Sequence, residues 1–258
     1  VRNFFPAAAD GRRFAAAEIL LLIACLAGMT VLRMMSVWNV EADPVFEMAK
    51  VTAGGFSPAV AHGGAEIYLY LLHGTMLLMG NKVSAVICLQ SLLLILAALA
   101  LYFGVRRLSG PVSALISILF LGFAPYMLEE TKKLTPFLLF LIFYGAALYL
   151  IGSISDRERT WRENRLYTLL RYLAAGLLTG FCFYLDVAGI TLFLILTVVI
   201  CSDVRDSEYR PNGILAFLCC LAAAVCGYMG THGIRSLGGG SLTASINGQL
   251  ELYLPGNF

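Results

Sequence analysis

Apolar residues run through this chain in long blocks, separated by short polar stretches that carry most of the arginines. The blocks cover about residues 14–37, 83–104, 111–128, 135–154, 166–185, 187–202 and 213–232. Each approaches the ~20 apolar residues that an α-helix needs to cross a bilayer core. A helix also satisfies every backbone N–H and C=O within its own segment, which lipid cannot do for it. The pattern therefore predicts an all-α, polytopic bundle of seven transmembrane helices, built as a single module over residues 1–258. An eighth block, 65–79, is shorter and carries Glu66 and His73.

Positive charge decides how that block is placed. If 65–79 does not span, Arg2, Arg12, Arg13, Arg106, Arg107, Arg157, Arg159, Arg162, Arg165, Arg171, Arg205 and Arg210 fall inside, leaving Arg33, Lys50, Lys82, Lys132, Lys133 and Arg235 outside. If it spans, every later loop flips, and the inside then holds only seven of the eighteen Lys and Arg residues. Cytoplasmic segments collect Lys and Arg, so the first model is preferred. It sets the N-terminus in the cytoplasm and the C-terminus outside, with 65–79 an amphipathic helix lying in the outer interface.

Composition agrees. Hydrophobic residues make up 59% of the chain and charged ones 13%, against roughly 25% charged in soluble domains. That excludes an ordinary water-soluble fold. A net charge of +2 is too small to suggest a nucleic-acid partner. The cysteines Cys25, Cys88, Cys182, Cys201, Cys219, Cys220 and Cys226 lie in or beside apolar blocks without metal-site spacing, and read as small packed side chains. The first block is too long for a signal-peptide core and lacks a small-residue cleavage site, so it is expected to be retained. Val1 is not an initiator Met and the chain stops in a Gly-rich segment, 235–258. Further sequence is expected beyond these ends.

Long polar loops carry function more often than short ones, and here they lie outside. The first outer loop, 38–82, holds Glu41, Asp43 and His62. Asp43-Pro44 predicts a helix start, with Asp at the N-cap and Pro at the first helical position. Asp43 is therefore either a cap or a carboxylate serving as base or metal ligand. Glu41 reads as a loop charge, His62 as a loop histidine or a site contact, and His73 as a packed histidine. The second outer loop brings Glu129 and Glu130 next to Lys132 and Lys133. These are interfacial anchors or a device for capturing a phosphate and a sugar. Asp186 ends the fifth span, and His232 and Arg235 close the seventh.

The order of these pieces resembles the GT-C superfamily of membrane glycosyltransferases, which includes the protein O-mannosyltransferases and the aminoarabinose transferases of lipid A. The first span ends in Arg33 and leads into an acid-bearing loop. His62 to Tyr68 then opens the interfacial helix. Arg106-Arg107-Leu108 is similar to that superfamily's cytoplasmic turn, and the stretch from Gly176 through Asp186 to Leu194 resembles its link between the fifth and sixth spans. Thr135 falls where the mannosyltransferases carry a second-loop acid, Asp186 where a Lys often follows the fifth span, and Gly63-Gly64 where prolines follow the histidine.

The resemblance implies a core module that transfers a sugar from a polyprenyl-phosphate donor to an acceptor on the outer face of a bacterial plasma membrane. It implies Asp43 as the catalytic base and, with Glu130, as ligand of a divalent ion such as Mg or Mn. It implies Glu41, His62, Tyr68, Glu129, Glu130, Lys132, Lys133, Asp186, His232 and Arg235 as substrate contacts. Two other readings stay open. One is a non-catalytic lipid-binding or scaffold subunit of an envelope-assembly complex. The other is a transporter or flippase of lipid-linked substrates, against which stands the lack of mid-span charges or paired broken helices.

Overall fold

The computed structural model describes residues 11–35, 65–80, 83–154, 165–204, 218 and 220–227. Among these, every regular element is helical. In chain order they are α1 (Gly11–Met35), α2 (Ala65–Met79), α3 (Val83–Ser109), α4 (Pro111–Phe123), α5 (Pro125–Glu130), α6 (Phe137–Ile154), α7 (Arg165–Leu185), a 3₁₀ turn (Val187–Gly189) and α8 (Ile190–Val204). Residues 220–227 are helical as well. Each of the seven long apolar blocks thus contains a helix. The segments Ala16–Arg33 and Val83–Ser109 are long and apolar enough by themselves to cross a membrane. Pro111–Phe123, Phe137–Ser153, Leu170–Leu185 and Ile190–Val199 are shorter apolar helices.

The block 111–128 is divided. Pro125 has no N–H to donate, and its ring disfavours the helical region for the residue before it. Ala124 accordingly turns extended, with φ −68° and ψ 127°, and α5 starts afresh with Pro125 in its first turn. At the other end of α4, Gly110 stands at the N-cap with φ +97°, a conformation costly for any residue with a Cβ. The sharp reversal from α3 into α4 depends on it.

Helix α2 differs from the expected amphipathic form. Tyr68, Leu72 and Met76 make a buried stripe at helical spacing. The opposite side is also apolar, with Ile67, Leu71, Leu77 and Leu78 exposed. At ~1.5 Å per residue its 15 residues reach roughly 22 Å, short of a ~30 Å hydrocarbon core.

Small residues set a very close helix pair. A Cβ on Gly104 would stand 2.4 Å from the Gly145 carbonyl oxygen, and one on Gly145 would stand 2.4 Å from the backbone of Ala100. A Cβ on Gly152 would meet the stem of Arg107 at 2.8 Å. These pairings rise together along both chains, so α3 and α6 run parallel with their backbones nearly touching, as small residues permit between membrane helices. By contrast, α7 runs antiparallel to α6: Arg171 donates to the Ser153 carbonyl at 3.4 Å, while Phe143 and Phe181 meet edge to face. The start of α1 meets the end of α3 through Glu18, Tyr102 and Arg106, so these two helices are antiparallel.

Two apolar clusters follow. Leu22, Met29, Leu72, Leu89, Leu93 and Ile118 join α1 to α4 in one. Phe140, Leu148, Ile151, Tyr172, Leu192 and Cys220 join α6, α7, α8 and the 220–227 helix in the other. The outer faces stay apolar, with Leu20, Ile116, Leu194 and Val198 exposed. Water would penalise such a surface at about 25 cal/mol per Å²; lipid tails would not.

Candidate functional site

Polar side chains inside this apolar bundle concentrate at its two ends. At one end Glu18 of α1 accepts a hydrogen bond from the Tyr102 hydroxyl and pairs with Arg106 at 3.0 Å. The Arg106 guanidinium also lies 5.7 Å from the Tyr102 ring centre, within reach of a cation–π contact. All three groups serve one another and brace α1 against α3.

The other end has a different character. Arg33, in the last turn of α1, is buried and donates to the backbone carbonyl of Thr131. Two residues later the same loop is held again: the Gln90 amide of α3 donates to the Lys133 carbonyl at 3.3 Å and to the Tyr68 hydroxyl of α2 at 2.5 Å. Gln90 is wholly buried and Tyr68 nearly so. Backbone bonds from Lys132 to Glu129 and from Lys133 to Glu130 continue the helical turn out of α5. The loop 131–135 is thereby pinned by its main chain, and its charged side chains are left to face outward.

Those side chains sort themselves. The Lys133 ammonium sits 2.5 Å from the Glu130 carboxylate. Its hydrogen bond to Glu130 raises the lysine pKa above the ordinary value against the opposing effect of burial. Glu129 is exposed. Lys132 is half-buried and has no ion-pair partner among the described residues, which makes it, of the described cations at this end, the one best disposed to meet an incoming anion. Gln90 Oε1 and Thr135 Oγ1 are buried without a hydrogen-bond partner among the described residues.

Asp186 has a local task. Its carboxylate accepts from the Ala188 N–H at 2.7 Å, and its carbonyl from the Gly189 N–H at 2.9 Å. It thus starts the 3₁₀ turn between α7 and α8 in the manner of an N-cap. The register of α6 against α7, Ser153 with Arg171 and Phe143 with Phe181, sets it level with the first turn of α6. That is the same end of the bundle as the lysine loop.

Of the residues expected from sequence, Tyr68, Glu129, Glu130, Lys132, Lys133 and Asp186 therefore gather at one end. Tyr68 acts there as a buried hydrogen-bond acceptor. Asp43, Glu41, His62, His232 and Arg235 lie outside the described residues. So does the helix start expected at Asp43-Pro44. The expected metal pair, Asp43 with Glu130, has one member described, and that carboxylate already faces an ammonium. Among the described residues no three His, Cys, Asp or Glu side chains gather as a metal set. Gln90 was not among the expected site residues. Its signal was a primary amide in the apolar run VSAVICLQSLLLIL, where an unpaired polar group is costly.

A family model described as dolichyl-phosphate-mannose-protein mannosyltransferase matches residues 65–227. The match takes in α2, the lysine loop and Asp186. No curated protein and no solved structure matches the chain.

Proposed function

Because this chain belongs to the dolichyl-phosphate-mannose-protein mannosyltransferase family, membrane glycosyltransferases of GT-C type, we propose that it transfers a sugar from a polyprenyl-phosphate donor to an acceptor hydroxyl outside a bacterial plasma membrane. The observation that carries this reading is the pinned lysine loop at one end of an apolar bundle, inside the matched region. An amphiphilic donor needs both parts: apolar helix faces for its tail, and cations at the interface for its phosphate.

Charge and helix direction together support one orientation. The antiparallel contact of α1 with α3 supports a chain that crosses once before residue 65 and returns at α3, with α2 seated in the interface between them. The arginine-rich connections then lie in the cytoplasm. In the proposed seven-span arrangement the lysine loop, Asp186 and the 38–82 loop lie on the outer side, along with His232 and Arg235.

In the proposed reaction the acceptor oxygen attacks the anomeric carbon of the sugar. The bond from that carbon to the phosphate oxygen breaks, and polyprenyl phosphate leaves with the electron pair. Asp43 takes the acceptor proton as general base. Lys132 stabilises the charge that grows on the leaving phosphate, as preorganised cations do, and Lys133 adds to it from its place beside Glu130. Glu41, His62, Glu129, His232 and Arg235 are proposed contacts to the sugar and the acceptor. Glu130 is already committed to Lys133.

The test uses the full chain in lipid nanodiscs with polyprenyl-phosphate-mannose and a hydroxyl-bearing acceptor peptide, water being the alternative acceptor. Release of polyprenyl phosphate is followed by mass spectrometry in the wild type and in Asp43→Asn. Turnover that the substitution removes, while the thermal transition is kept, supports the reading. Turnover that survives the substitution refutes Asp43 as base. A wild type that binds the donor without turning it over supports the non-catalytic lipid-binding reading, which the Thr135 hydroxyl in place of a family acid favours.

A further inference from the structure

Gln90 has a cost that its local surroundings do not repay. It lies in an otherwise apolar stretch of α3 and is wholly buried. Its Oε1 has no partner among the described residues, and an orphaned buried acceptor costs roughly 1–3 kcal/mol. Leucine, the residue at positions 89, 93 and 94 around it, would avoid that penalty. What the amide supplies is two donor bonds that join separate elements: one to Tyr68 of α2 and one to the Lys133 carbonyl.

The choice of atoms matters. A bond to the Lys133 carbonyl fixes the backbone at that residue without occupying its side chain, which remains 57% exposed beside Glu130. Arg33 of α1 does the same at Thr131. Lys132 lies between these two anchor points, so its Cα cannot drift unless one of them lets go. Tyr68 in turn belongs to the buried stripe that seats α2. A shift of α2 along the interface is thus passed through the Tyr68 hydroxyl and the Gln90 amide to the height of the lysine loop.

We infer that Gln90 is a positioning residue for phosphate capture: by tying the Lys133 backbone to the Tyr68 hydroxyl, it couples the seat of α2 to the placement of Lys132 and Lys133. This rests on the proposal that these lysines meet the donor phosphate. Gln90 itself touches no substrate; it acts through the lysines.

The test is a double-mutant cycle on binding of bare polyprenyl phosphate to the full chain in nanodiscs, titrated by native mass spectrometry. Gln90→Leu should weaken binding about tenfold, since displacements near 1 Å can cost up to a hundredfold. Tyr68→Phe should weaken it in the same direction, and the pair together no more than Gln90→Leu alone. In the background of Lys132→Ala with Lys133→Ala, Gln90→Leu should have no further effect, which a general loss of structure would not reproduce. Thermal melting checks that Gln90→Leu folds; if it does not, Tyr68→Phe, which keeps the ring, carries the test in the same lysine-free background. Equal weakening with and without the lysines overturns the positioning role and leaves the phosphate reading standing. A wild type that does not bind polyprenyl phosphate overturns both.

Discussion

Alanine at Gly145 should be among the most damaging single-methyl additions to the described bundle. The added Cβ would stand 2.4 Å from Ala100 C, 2.5 Å from Leu101 N and 2.6 Å from Ala100 O. Comfortable carbon contacts lie near 3.5–4.0 Å, so α3 and α6 would have to separate by about 1 Å. Both obstructing groups are backbone, and no rotamer change relieves them. Separation also loosens Gly104 against Leu148, since those helices share one seam. Overpacking of this kind costs about 1–3 kcal/mol, sometimes more, and about 3 kcal/mol is expected here because the clash is with main chain. In lipid there is little hydrophobic drive to pull the helices back together. The assay is thermal or SDS-induced unfolding of the purified protein, with Gly74→Ala beside it. A Cβ on Gly74 meets nothing within 4 Å, so that change should be neutral or stabilising by up to about 1 kcal/mol through helix propensity alone. Equal transitions for the wild type and both variants would refute the close approach of α3 and α6.

Other consequences are smaller and equally checkable. Thr135→Val removes a buried hydroxyl that has no partner among the described residues; it should raise stability by about 1 kcal/mol, and a drop of that size in the melting transition would show that the hydroxyl is satisfied. The Lys133 pKa is raised from 10.5 by Glu130, so its share of stability is fully present below the unfolded value and is lost as pH rises through the folded one. Lys133→Met should therefore differ from wild type by a constant, small amount between about pH 7 and 9, small because an exposed pair is screened, and the two should converge above the lysine range. A difference that changes between pH 7 and 9 would sink that account.

Much of the fold was legible along the chain because membrane helices are local objects. Length, apolarity and internal hydrogen bonding place a helix in each of the blocks from 14–37 to 213–232, and Pro125 explains the one break by backbone chemistry that needs no neighbours. The Glu130–Lys133 pair was equally readable, being three residues apart. What tertiary structure alone decided are the contacts that join these helices at the candidate site. Arg33 meets the Thr131 carbonyl across 98 positions, Gln90 meets Tyr68 across 22 and the Lys133 carbonyl across 43. Periodicity cannot report such pairs, because which helices touch depends on where small residues such as Gly104 and Gly145 let backbones meet. Asp186 shows the same division in reverse. From sequence it could have served a site or simply been solvated, and folding supplied its use, a bond to the Ala188 N–H that starts the next turn. The chain's hydrophobic pattern determined that it would form membrane helices; their packing decided which backbone carries the lysines and what holds it still.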